Sequence, residues 1–216
     1  MSLESRDFTF DVWAHYGIFT RPELKIERRS YEVPTHSALR GLLDNIFRHP
    51  PMTWKIQNIG ILSPIKFCSE KRNEIDKVAK SNGKPIHSDE CKQQTTYHLL
   101  IKPRYRITAR FACTSEGNKN EKETLWKYEA MVKRYLKKCC NNLNVYFGIK
   151  ECTAYLEPVD PDLQPLDINK DLGRMVFDHM YDDNGNHLGP TFAHYVIKNG
   201  IVNYAEMEVE SCLVVN

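Results

Sequence analysis

Residues 16–67 read YGIFTRPELKIERRSYEVPTHSALRGLLDNIFRHPPMTWKIQNIGILSPIKF, and a helix can be placed in this stretch from its two ends. Thr35, directly after Pro34, is an N-cap residue whose hydroxyl can accept from an N–H of the first turn. Pro50 and Pro51 stop the helix, because proline has no N–H to donate and clashes with the preceding turn. Between these ends, HSALRGLLDNIFR carries Leu39, Leu42, Leu43 and Ile46 at helical spacing. Before the helix, Pro22 to Pro34 reads as a loop with a short extended piece around Tyr31. After it, Trp54 and Ile56, then Ile59 and Ile61, alternate as a strand or hairpin would. Aromatic and basic residues interleaved around one helix suit a surface that grips RNA.

The flanks extend the pattern. Phe8, Phe10 and Val12 alternate with polar residues and predict a half-buried first strand. Residues 68–94 are polar and predict a mobile loop. TTYHLLIKPRYRITARFAC, residues 95–113, is a long strand signal in which Pro103 implies an edge or bulge. A second helix is predicted from Glu121 to Cys140, and residues 144–156 hold one strand or two short ones around Gly148. The order β-α-β-β-α-β is the ferredoxin-like arrangement that also underlies RNA-recognition modules. Three prolines within residues 157–165 mark a linker. The fold class expected is therefore α+β, with a ferredoxin-like domain over 1–157 and a small antiparallel β-sheet over 158–216. In the latter, a hairpin turns at Asn184-Gly185 and a third strand follows Lys198-Asn199-Gly200.

Composition narrows the function classes. With 216 residues, 41% hydrophobic and 27% charged, the chain can bury a real core as one large domain or a domain with a smaller partner. Thirty Lys+Arg against 28 Asp+Glu leave a net charge of +2, so any nucleic-acid partner must be recognised by local charge. The seven cysteines are odd in number and contain no C-x-x-C pair, which points to reduced thiols in the cytoplasm. Neither a secretory signal nor a run of about 18 apolar residues is found, so no membrane partner is expected. The eight histidines show no H-x-x-x-H or H-E-x-x-H spacing, and no metal is expected. P-loop, G-x-S-x-G and G-x-G-x-x-G motifs are missing, so no cofactor is expected either. The aromatic signature of ordinary RNA-recognition sheets is absent too.

Helical wheels bring out the candidate contacts. With Ala38 at zero, Leu39, Leu42, Leu43 and Ile46 span about 40–140°, while Phe47 falls near 180° and Arg40 near 200°. An aromatic and a cation thus share a face outside the buried stripe. With Leu125 at zero, Val132, Leu136 and Cys139 fall near it and Tyr128 and Tyr135 flank them, whereas Lys127, Arg134 and Lys138 gather at about 180–220°. Three cations opposite the core make a phosphate track or simply a solvated face.

The spacing of several segments, taken together, resembles one family. YGIFTRPELKIERRSYEVPTHSALR, residues 16–40, is similar to the N-terminal block of CRISPR-associated Cas-five proteins of subtype I-C, the "d" or Dvulg type. There a "Y-x-x-F-T" segment leads to "S-Y-x-V-x-T" and a helix. Ser63-Pro64-Ile65, Arg72-Asn73-Glu74, Lys127-Tyr128, Phe147 to Glu151, and the block from Leu172-Gly173 to Gly200 match in the same order. The resemblance covers nearly the whole chain.

It implies a metal-independent endoribonuclease that cleaves precursor CRISPR RNA at the repeat hairpin and then remains in a type I-C surveillance complex. The partners implied are CRISPR repeat RNA and the other subunits of that complex, with duplex DNA a further candidate. Members use a tyrosine late in the first helix and a lysine-histidine pair at the second. Those positions correspond here to Phe47, Lys127 and Tyr128, so only the lysine keeps its residue type. Attack by a ribose 2′-OH on its own phosphate needs a base, an acid and a cation for the developing charge. Lys127 supplies charge, and Tyr128 can donate a proton but is a poor base, since a phenol ordinarily titrates near about 10. Phe47 can only stack. His49, two residues further on, is of the residue type that titrates near about 6.5, or else is an exposed loop histidine. The catalytic candidates are thus Lys127, Tyr128, Phe47 and His49, and the RNA-binding candidates Arg40, Tyr31, Arg134 and Lys138. The alternative is a non-catalytic subunit that caps the 5′ handle of the guide RNA.

Overall fold

The computed structural model describes residues 3–24, 27–49, 52–75, 77, 83, 86, 87, 89, 91–113, 121–142, 145–182 and 184–211, with the backbone alone for 121–124 and 139–142. The first elements are β1 (Leu3–Glu4), β2 (Phe8–Ala14), β3 (Tyr16–Gly17), β4 (Arg28–Arg29) and α1 (His36–Ile46). Next come β5 (Met52–Ile61), β6 (Phe67–Ile75), β7 (Lys92–Ile101), β8 (Arg104–Cys113) and α2 (Glu121–Asn142). The chain continues with β9 (Ala154–Glu157), β10 (Lys170–Tyr181), β11 (His187–Ile197), β12 (Ile201–Asn203) and β13 (Val209–Ser211). The class is α+β.

The main sheet runs β12-β5-β8-β2-β9, antiparallel at every junction, with β1 also pairing to β8. One face is apolar. Phe8, Phe10 and Val12 of β2 meet Tyr105, Ile107, Ala109 and Phe111 of β8 and Trp54 and Ile56 of β5, all buried. The Phe8 and Phe111 rings stack at 6.0 Å and Trp54 stands edge-on to both. α1 packs on β5, α2 on β9, and the helices touch each other. Thr35 caps α1 as expected, its Oγ1 accepting from the Ala38 N–H at 3.2 Å. In β5, Trp54 and Ile56 are out of phase with Ile59 and Ile61. A bulge between Ile56 and Asn58 absorbs the extra residue, so one strand turns all four inward.

On the other face, Asp11 is fully buried and receives Arg106 through two hydrogen bonds, 2.7 and 3.0 Å. The linker crosses here: Arg106 also donates to the Asp160 carbonyl, and the Leu166 N–H to the Ile61 carbonyl.

Three expectations need correcting. The polar residues expected as a loop over 68–94 supply much of a long antiparallel ladder, from Phe67 opposite Leu100 to Ile75 opposite Lys92. β6 itself has no fully buried residue; β7, whose Tyr97, Leu99 and Leu100 are buried, anchors the ribbon to the core, and charge pairs such as Arg28 with Glu74 add to it. The centre of that stretch, residues 76, 78–82, 84, 85, 88 and 90, lies outside the described residues, as do Pro50 and Pro51 at the expected helix stop. The single strand expected over 95–113 is two, in different sheets, because Lys102 turns with φ 46° beside Pro103. The third C-terminal strand divides its allegiance: β12 edges the main sheet on β5 and only β13 pairs with β11.

Candidate active site and RNA-facing surface

α1 ends at Ile46. Phe47 is its C-cap in extended backbone, and its N–H still reaches the Leu43 carbonyl. Leaving the helix there swings the Phe47 ring away from the face it would share with Arg40. The ring is buried, 5.3 Å from that of Tyr135, and the Phe47 carbonyl accepts from Trp54 Nε1 at 3.0 Å. Phe47 is a core residue, which removes it as a catalytic candidate and as a surface for stacking.

The same loop brings His49 to α2. Its carbonyl accepts from the Met52 N–H as the chain enters β5, and its ring lies 4.6 Å from the Tyr128 ring. His49 Nδ1 is sealed from solvent, with no hydrogen-bond partner among the described residues. Tyr128 is 8% exposed, while the preceding Lys127 stands in solvent. The His49 and Tyr128 rings therefore meet where the end of α1 faces α2, with Lys127 next to Tyr128 in the chain and turned to solvent. An orphaned buried ring nitrogen costs about 1–3 kcal/mol.

Arg134 and Lys138 are exposed further along α2. Arg40 lies elsewhere, bound to the Asp178 carboxylate through both terminal nitrogens at 2.8 Å. His36 Nδ1 also reaches that carboxylate at 3.1 Å, and its ring stacks on Phe177. Burial alone would raise the Asp178 carboxyl, but the bonds from His36 and the His179 N–H and the charge of Arg40 hold it below its ordinary value. Beside them is a cleft of about 420 Å³ lined by Thr20, Ser37, Arg40, His179 and Tyr181 among others. Tyr31 must be corrected: it is 3% exposed and Arg21 lies 4.9 Å over its ring, so it has no free face for a base.

Sequence reasoning passed over Trp126 and the His179–His187 pair. Trp126 is 67% exposed and could have been found on the α2 wheel, where it sits well outside the core arc. His179 Nδ1 and His187 Nε2 approach to 2.9 Å across the β10–β11 hairpin, a proximity that only the bulged register creates. Among the described residues no three His, Cys, Asp or Glu side chains converge to hold a metal ion. No helix described is long and apolar enough to cross a membrane.

The fold is α+β, and at the candidate site the His49 ring meets Tyr128 on a helix whose outer face is cationic. A family model for CRISPR-associated proteins of the Cas5d type matches residues 8–190, and the chain belongs to that family. Two relatives carry the name CRISPR pre-crRNA endoribonuclease Cas5d. That of Thermus thermophilus is 35% identical over 77% of this chain and 70% of its own length. That of Mannheimia succiniciproducens is 33% identical over 90% of this chain and 95% of its own. Two solved structures share the fold. A CRISPR-associated protein superposes with a TM-score of 0.69 at 23% identity, covering 98% of this chain and 100% of that one. A functionally uncharacterized protein of Streptococcus mutans gives 0.67 at 21%, covering 97% and 99%.

Proposed function

We propose that this protein is an endoribonuclease that cuts precursor CRISPR RNA at its repeat hairpin and stays bound as a subunit of a type I-C surveillance complex. The observation that carries the catalytic reading is the packing of the His49 ring on that of Tyr128, with Lys127 the residue before it on α2. His49 accepts the proton of a ribose 2′-OH as its oxygen bonds to the neighbouring phosphorus. The P–O5′ bond breaks, Tyr128 donates a proton to the leaving oxygen, and Lys127 balances the charge of the pentacoordinate phosphorus. The products are a 2′,3′-cyclic phosphate and a 5′-OH, and no metal enters the scheme. Arg134 and Lys138 hold phosphates along α2, and Arg40 lends charge beside its cleft.

The order β9-β2-β8-β5, with α1 between β2 and β5 and α2 between β8 and β9, supports a ferredoxin-like reading of the core over 1–157. Residues 158–216 form the second unit of this proposal, a hairpin sheet whose β12 is lent to the first.

The test is incubation with the host's repeat transcript in EDTA. Cleavage to a cyclic phosphate is expected, with Lys127→Ala and His49→Gln slowing it about 100-fold or more while RNA stays bound. Intact RNA across a range of pH would overturn the catalytic scheme. It would favour a second reading, a subunit that only caps the 5′ handle of the guide, which the low exposure of Tyr128 supports.

A further inference from the structure

The solvent half of α2 carries one aromatic and a run of cations. On the wheel with Leu125 at zero, Lys133, Trp126, Lys137, Arg134, Lys127 and Lys138 span about 80–220°. All six are exposed. Glu129 is the one carboxylate between residues 125 and 138; it falls at about 40° and is held by Arg6. Between residues 125 and 138 this half of the helix therefore presents five positive charges and no negative one.

Trp126 is out of place on such a face unless something covers it. An indole gains more from burial than almost any side chain. The other two tryptophans are fitted into the protein: Trp54 is 2% exposed, and Trp13 stacks on Tyr155 while its Nε1 donates to Glu157 at 2.7 Å. Around Trp126 the helix offers no apolar side chain larger than Ala130 on the exposed arc, so an apolar partner surface would find nothing else to bury. What fits a flat ring on a helix face that carries cations is a ligand with a π-face and negative charge close together. A nucleotide has both.

We propose that Trp126 is a stacking platform for one unpaired base of the RNA, with Lys133 and Lys137 neutralising the phosphates on that side. This deepens the endoribonuclease reading and rests on it. Trp126 and Lys127 are consecutive, about 1.5 Å apart along the axis and turned by about 100°. A base on Trp126 therefore lies within one or two nucleotides of the phosphate that Lys127 faces. Bases inside a duplex are already stacked on both sides, so the platform takes a base from the single strand flanking the hairpin, or the hairpin's exposed end. It defines a subsite beside the cut that tolerates any base and favours the larger rings of purines.

The experiment is single-turnover cleavage of the repeat RNA by the full chain, with tryptophan emission followed on titration, for wild type, Trp126→Ala and Trp126→Phe. Quenching of wild-type emission is expected. Trp126→Ala should raise the half-saturating RNA concentration about ten-fold with the saturated rate little changed, and Trp126→Phe should fall between. Circular dichroism should be the same for all three, because the ring is exposed. Cleavage by Trp126→Ala at unchanged half-saturation, with unquenched wild-type emission, overturns the platform and leaves the endoribonuclease standing; the ring would then face a protein partner. Quenching and weakened binding without any cleavage would sustain the platform and sink the cleavage reading. If the wild type neither binds nor cuts the RNA, both fall.

Discussion

At the residue scale, the position at which α1 stops decides what Phe47 and His49 do. Had α1 continued one more turn, Phe47 would have faced solvent and His49 would have been carried away from α2. Because the helix stops at Ile46, the extended backbone buries the phenyl ring and delivers the imidazole to Tyr128. Gly148 shows the opposite dependence, where nothing but hydrogen fits. Its φ is +85°, and a Cβ there would lie 1.6 Å from the Ile18 carbonyl oxygen. Gly148→Ala is expected to destabilise the protein by at least about 2 kcal/mol, read as a lower midpoint in urea. A midpoint within error of wild type would show that the loop relaxes freely. Asp11 is a second sensitive point. Asp11→Asn leaves Arg106 half-paired beneath the linker, and a loss of about 3 kcal/mol is expected in the same measurement.

At the element scale, α1 depends on its cap and the β10–β11 hairpin on its histidines. Thr35→Ala removes the acceptor for the Ala38 N–H and should cost about 1 kcal/mol of stability, whereas Thr35→Ser should cost little. In the hairpin, burial and then the neighbouring His187 push His179 below its ordinary value of 6.5. Asp178 beside it is also held low. A depressed folded value means that the unfolded chain binds the proton more readily as the pH falls, so both groups subtract stability on acidification. His179 acts first, below the ordinary histidine value, and Asp178 only in the carboxylate range. The melting temperature should therefore decline between pH 7.5 and 5.5, and decline less in His179→Gln. Parallel curves for the two proteins would rule this out.

For the whole molecule, the C-terminal segment is part of the same core as the N-terminal sheet. Met175, Tyr195, Ile197, Val202 and Tyr204 join the continuous buried cluster, and Tyr204 donates to the Pro34 carbonyl at 2.7 Å. That bond ties the last part of the chain to the residue before the α1 cap. Tyr204→Phe strands a buried carbonyl and is expected to lower stability by about 1–2 kcal/mol. A fragment of residues 1–157 would leave β5 without β12, and should lose the cooperative thermal transition of the full chain. A sharp transition in the fragment would establish 1–157 as self-sufficient.

Much of this was legible in the residues themselves, for a physical reason. Helix caps, the period of buried side chains in α1 and α2, and the Asn-Gly turns act between near neighbours, so Thr35, Leu39 to Ile46 and Gly200 announce their roles locally. The cations of α2 are equally local, because they share one helix. The family resemblance added the place of Lys127. Pairings between distant segments were not legible: β12 on β5, Asp178 on Arg40, and the meeting of His49 with Tyr128 depend on which surfaces pack together. Polar β6 gave no strand signal because its side chains alternate between exposed and half-exposed positions against β7 and none is fully buried. The sequence alone determined the helices, the family and the cationic face, since these follow from short-range spacing. Only the tertiary structure decided that Phe47 and Tyr31 belong to the core, that the His49 ring meets Tyr128 and that Trp126 stands in solvent, because burial is a property of what the rest of the chain brings alongside.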